Sequence, residues 1–242
     1  MPQFFQTFPM LLLSLAALGL SALTASEPDY RDHVIQGWTF RVESRLVEGQ
    51  PLLWQMVRDD AERQSRGIAR VVPDSPLKEL RKVIVWVHAS SPETICMAFH
   101  PGAQWLRDHK MNPAMAGHVE IGSGANFVSW TYEQPWMLMH EFAHAYHFRV
   151  LEGGFSNADV AAAFKASMAA KRYDSVLQWN GKRVKGYAAN NPMEYFAEST
   201  EAYFGTNDFY PFVRAELREA DPDAHALMVK IWGEPQKRTG KS

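Results

Sequence analysis

The segment at 136–151, WMLMHEFAHAYHFRVL, limits what this chain can become more than any other. On a helix its apolar residues, Trp136, Met137, Leu138, Met139, Phe142, Ala143, Tyr146, Phe148, Val150 and Leu151, leave almost no polar face beyond His140, Glu141, His144 and His147. A helix apolar on every side is enclosed by its fold, and polar groups carried inside need partners. His140 and His144 stand one turn apart, so both imidazoles can converge on one Zn²⁺ at tetrahedral angles. Glu141 projects beside such an ion, placed to take a proton from water and pass it to a leaving amine. The alternative, histidines satisfied by core hydrogen bonds, must bury an acid between them as well.

What precedes this helix reads as a leader and a mixed lobe. The apolar run at 10–20 is too short to span a bilayer comfortably and is followed by the small-residue stretch SALTAS, so residues 1–25 read as a signal peptide cleaved near Ala25. No Lys or Arg precedes the run, and an uncleaved N-terminal anchor is the alternative. The expected localisation is secreted or periplasmic. Removing 25 of 242 residues leaves 217, enough for one sizeable domain at 26–242. Cys96 is the only cysteine, so stability rests on the core and on any metal. With 25 basic and 27 acidic residues the net charge is -2, which gives no electrostatic case for nucleic acid or for an anionic membrane as partner of the mature chain.

Alternation through Trp38, Phe40 and Val42 predicts an extended strand over 34–47, and an amphipathic helix follows at 52–71. After the breaker VPDSP come a short helix at 77–81, a central strand at 82–88 and a short helix at 102–109. Two further strands are expected at 118–121 and 126–130 around Gly122-Ser123-Gly124. Such a pair is either an exposed edge that captures extended peptide or a closed hairpin with no such role. Pro135, with Thr131 or Gln134 as cap, sets the entry to the apolar helix. Beyond Gly153-Gly154 the chain turns helical, with an Ala-rich helix ending near Lys171, a hairpin around Asn180-Gly181, and closing helices at 212–220 and 222–232 before a frayed tail.

The second informative stretch is GYAANNPMEYFAESTEAYFG at 186–205. Asn191 and Pro192 read as N-cap and first residue of a helix reaching Gly205. Glu194, Glu198 and Glu201 fall on one face of it. Alone, such a row is ordinarily a solvated face. A catalytic zinc, however, needs three protein ligands and an open position, and the two histidines supply only two. No third histidine follows at the distance the metzincin pattern requires, where Val150 stands, so a glutamate from a second helix is the favoured third ligand. Tyr187 is either a packing side chain or a phenol near the open position. His147 either lines the site or packs behind it. A competing reading takes GTND at 205–208 as the start of an aspzincin GTxDxxYG motif with Asp208 as ligand, but Pro211 stands where that motif needs tyrosine.

The pair HEFAH at 140–144 and NPMEYFAE at 191–198 resembles the gluzincin arrangement, and most closely that of the lethal-factor-like zinc peptidases, a group that includes the Pro-Pro endopeptidases. The likeness covers roughly residues 140–205. It implies Zn²⁺ held by His140, His144 and Glu194, with Glu198 supporting a ligating histidine, Glu141 as general base and Tyr187 as oxyanion donor. It also implies a peptide or protein substrate. The expected fold class is therefore α+β and zincin-like: an N-terminal mixed sheet with helices at about 30–151, ending in the HExxH helix, and a mainly helical C-terminal lobe at about 152–236. The expected activity is that of a zinc endopeptidase. A zincin-fold binding or structural module without turnover is the alternative, though it would need neither Glu141 nor Tyr187.

Overall fold

A computed structural model describes residues 29–236, so the expected signal peptide and the tail at 237–242 lie outside the described residues. The expected strand at 34–47 is three elements: β1 (Tyr30–Ile35), β2 (Trp38–Glu43) and a short helix α1 (Ser44–Gly49). β1 and β2 form an antiparallel hairpin with Ile35 opposite Trp38. Its two-residue turn, Gln36-Gly37, has positive φ at both positions (50° and 91°), a backbone twist that suits a tight hairpin and that glycine adopts freely. Trp38, Phe40 and Val42 are fully buried, so the alternation marked the inward face while the turn set the limits.

α2 (Pro51–Val71) has the expected extent, starts on a proline and buries Trp54, Val57, Ala61 and Ile68. α3 (Asp74–Leu80) begins within the expected breaker. β3 is only Val85–Val87, because the amides of Lys82 and Val83 are drawn back to the Glu79 and Leu80 carbonyls at the end of α3. The next elements are β4 (Met97–His100), absent from the sequence reading, then α4 (Ala103–Asp108) and β5 (His118–Ile121).

The run at 126–130 is not a strand. It belongs to helix α5 (Gly124–Trp130), whose first turn is capped by Ser123 Oγ accepting from the Asn126 amide at 3.2 Å. A polar N-cap outweighed a short alternating pattern. The expected hairpin is consequently absent. The sheet order is β1-β2-β3-β5-β4, with β2, β3 and β5 parallel and antiparallel strands at both edges. β5 is an interior strand, and the edge near the HExxH helix is β4.

Successive strand residues face opposite sides. Val85, Val87, Val119 and Ile121 turn into the main core, where the helix α6 (Met137–Val150) lies against β4, β5 and α3. Phe142 of α6 stacks on Trp38 at 5.3 Å. On the other face Glu120, fully buried, accepts hydrogen bonds from His88 Nδ1 at 2.6 Å, His100 Nε2 at 2.7 Å and Thr94 Oγ1 at 2.5 Å. Burial alone would raise its pKa, but the bonds from His100, His88 and Thr94 outweigh it and bring it down to about 2.

The C-terminal part is mainly helical. α7 (Ala158–Ala169) is capped by Asn157, and β6 (Val176–Leu177) and β7 (Arg183–Val184) form the hairpin expected around Asn180-Gly181. α8 (Pro192–Phe204) packs along α6, and α9 (Arg214–Ala220) and α10 (Pro222–Trp232) close the fold. Asp221, almost fully buried, ties this part together. Its carboxylate caps α10 through the Ala224 amide (3.1 Å) and accepts from Ser167, Arg172, Tyr195 and Tyr173 at 2.6 to 3.1 Å.

Candidate active site

The site forms where α6 and α8 run past each other. The N-cap of α6 is Trp136, without a side-chain cap; neither Thr131 nor Gln134 serves with its side chain. Thr131 Oγ1 instead returns to the Phe127 carbonyl, and Gln64 of α2 reaches across the core to accept from the Leu138 amide at 3.0 Å. The helix start is satisfied by tertiary packing, which no local pattern reveals. Trp136 itself lies so close to Gly205 that a Cβ there would stand 2.0 Å from Cε2 of the indole. Gly205 thus lets the end of α8 meet the start of α6.

α8 begins as its sequence predicts, with Asn191 Oδ1 accepting from the Glu194 amide at 2.9 Å and Pro192 in the first turn. That cap holds Glu194 in the first turn, facing α6. Its Oε2 lies 3.0 Å from His140 Nε2 and 3.2 Å from His144 Nε2. The two imidazole rings are 4.8 Å apart, nearly edge to face. Tetrahedral ligands bound at about 2.0–2.1 Å stand roughly 3.3–3.4 Å from one another, so these spacings are close to the edges of a zinc coordination tetrahedron. Two imidazole nitrogens and one carboxylate oxygen also match zinc in kind, and this trio is one of two groups among the described residues that could hold a metal ion. Burial opposes charge on Glu194, but hydrogen bonds from His140 and His144 hold its carboxyl well below the usual range. Burial likewise opposes charge on His140, yet bonds to Glu194 and Glu201 raise it well above the usual histidine value. Both shifts describe the protein without metal.

Behind the trio, His140 Nδ1 meets Glu201 Oε1 at 2.7 Å, while Glu198 Oε1 is 3.7 Å away and Glu198 Oε2 accepts from Asn207 Nδ2 at 3.1 Å. The carboxylate hydrogen-bonded to the histidine is thus Glu201, to which the sequence reading assigned no role. Spacing already put Glu201 on the face of Glu194, since seven residues make almost two full turns, but it does not tell which of Glu198 and Glu201 reaches the histidine. His140, Glu198 and Glu201 form the second group able to hold a metal. Asp208 belongs to neither group. Its carboxyl is raised to about 7 by burial and by Glu201. Burial and Glu201 also push Glu198 well above the carboxylate range, and burial raises Glu201 against its bond from His140.

A cavity of 330 Å³ opens beside the trio, lined by Glu141 and His140 of α6, by Cys96 and Met97 at β4, and by Tyr187. Tyr187 sits in the 3-10 turn Tyr187–Ala189 directly before α8, half-exposed, with its ring 6.3 Å from that of His140. Burial and Glu194 raise its pKa, so the phenol keeps its proton at neutral pH. Burial and then Glu141 push the Cys96 thiol up to about 12, which leaves it no nucleophilic thiolate at neutral pH. His147 does not line the cavity. It is fully buried, 5.2 Å from the ring of Phe155 and 5.0 Å from that of Phe196, with neither ring nitrogen bonded. Burial and His144 bring its pKa down to about 4, so it packs as a neutral ring. No described helix is long and apolar enough to cross a membrane.

No family model and no curated protein matches the sequence. Among solved structures the chain is similar to the Pro-Pro endopeptidase PPEP-2 from Paenibacillus alvei, at 18% identity, with a TM-score of 0.42, over 71% of this chain and 89% of that one. A likeness of that extent leaves the chemistry to be read from the site itself.

Proposed function

We propose that this chain is a secreted zinc-dependent endopeptidase of zincin-like fold, a single domain over residues 26–242 preceded by a signal peptide. The observation that carries the reading is the meeting of His140 Nε2 and His144 Nε2 on Glu194 Oε2, at 3.0 and 3.2 Å, beside a cavity that presents Glu141 and Tyr187. Zn²⁺ held by these three side chains would supply Lewis-acid polarisation of a scissile carbonyl and of water. The remaining steps belong to the chain. Glu141 accepts the proton of the attacking water and delivers it to the leaving amine. The Tyr187 phenol, protonated at neutral pH, donates to the oxygen on which negative charge develops. Glu201 accepts from His140 Nδ1, which fixes the ring so that Nε2 faces the site.

The test pairs metal analysis with cleavage of a diverse peptide library. The expected result is one tightly bound Zn²⁺, chelator-sensitive cleavage, and loss of cleavage in Glu141→Gln with the metal retained. Normal cleavage by Glu141→Gln would remove the general base from the mechanism.

A further inference from the structure

The cavity beside the trio presents more carboxyl groups than the peptidase chemistry uses. Besides Glu141, its lining includes Glu198, Glu201 and Asp208, each 4% exposed or less. Among the described lining residues none is lysine or arginine. Three neighbours answer these carboxylates: Asn207 donates to Glu198, Gln134 to Asp208, and His140 to Glu201. Glu201 Oε2 is buried with no hydrogen-bond partner at all. A buried, unpaired carboxylate oxygen on a residue that lines the cavity is an acceptor for which the chain itself provides no donor.

The rest of the lining favours a particular donor. Trp130, Met137 and Phe209 give the cavity apolar wall against which methylene groups can lie. Its volume, 330 Å³, accommodates a long side chain. An inorganic cation bound by Glu198, Glu201 and His140 Nδ1 would require the imidazole to ligate through both nitrogens, whereas an ammonium or guanidinium only has to donate hydrogen bonds. We propose that this acidic end of the cavity is a specificity pocket for a cationic side chain, lysine or arginine, of the substrate. The proposal rests on the peptidase reading for its biological meaning, but binding can be measured without turnover.

The experiment uses N-acetylated peptides that differ only in lysine against norleucine, or arginine against citrulline, scanned across the positions around the cleaved bond. Binding to the Glu141→Gln protein is measured by calorimetry and kcat/KM on the wild type. At one position the cationic residue is expected to be favoured by roughly tenfold or more, and Asp208→Asn to shrink that ratio. Equal binding of the charged and neutral peptides at every position overturns the pocket whether or not the protein cleaves them. A preference that requires a free α-amine in place of the side chain also overturns it, as does a second metal equivalent bound by the wild type and absent from Glu198→Gln. Should cleavage fail while the cationic preference in binding persists, the peptidase reading falls and the pocket stands.

Discussion

Replacing Glu201 by leucine separates a residue that orients a metal ligand from one that merely fills space. Its Oε1 accepts from His140 Nδ1 at 2.7 Å, and partners of this kind typically contribute 10–100-fold to metal affinity, about 1.4–2.7 kcal/mol. Glu198 stands ready as a partial substitute, since its Oε1 is 3.7 Å from the same nitrogen, but closing that gap strains its bond from Asn207. The single variant should therefore lose about tenfold in zinc affinity, and the double variant Glu198→Leu/Glu201→Leu about 100-fold. Stability should move differently. Glu201 Oε2 has no partner, so its removal costs little, but loss of Oε1 strands the half-buried His140 Nδ1, and the metal-free fold should weaken by about 1–3 kcal/mol. Zinc affinity is read by competition with a chromogenic chelator, and stability by urea unfolding of the metal-free protein. Unchanged zinc affinity in both variants would refute the reasoning. So would a metal-free fold weakened by several kcal/mol with no change in affinity.

Three further outcomes follow from the packing. Asp221→Ala removes the cap of α10 and strands the buried hydroxyl of Tyr173, while that of Tyr195 keeps Ser167 Oγ at 3.0 Å; about 1 kcal/mol for the cap and 1–3 for the unpaired hydroxyl give roughly 2–4 kcal/mol, measurable as a urea midpoint shift at unchanged slope. Gly205→Ala forces a Cβ into the Trp136 indole and should cost about 3 kcal/mol, lowering Tm by roughly 6–12 °C; an unchanged Tm would mean that α6 and α8 can separate freely at that end. Glu120, whose folded pKa is depressed to about 2 from the ordinary 4.5, contributes stability that is present above pH 4.5 and is lost as pH falls through 2. On the order of 3 kcal/mol is at stake, and unfolding curves between pH 6 and pH 2 should show a steeper acid loss in the wild type than in Glu120→Gln.

Much of this molecule was legible before its structure. HExxH on an apolar helix and the Asn191-Pro192 start of α8 needed only local rules, helical period and capping; the expectation of a glutamate ligand came from the ligand count of zinc, and the choice of Glu194 among three glutamates came from the likeness to the lethal-factor-like peptidases. The helix at 52–71, the Asn180-Gly181 hairpin and the closing helices were readable for the same reason, since each is specified within its own span. The errors fell where neighbours in space decide. Residues 126–130 alternate like a strand, but Ser123 caps them as a helix; β4 carries little strand signal and exists because β5 offers it an edge.

The sequence by itself therefore determined which residues can carry the chemistry, because donor type and helical spacing are properties of the chain. Tertiary structure alone decided how those residues are shared out. It brought Glu194 between two histidines and put Glu201, not Glu198, in hydrogen-bond contact with His140. It also enclosed His147 between two phenylalanines and gathered Glu198, Glu201 and Asp208 at one end of the cavity. Distances between side chains on different elements depend on how helices cross and on what fills the space between them, and no periodicity along one segment contains that information.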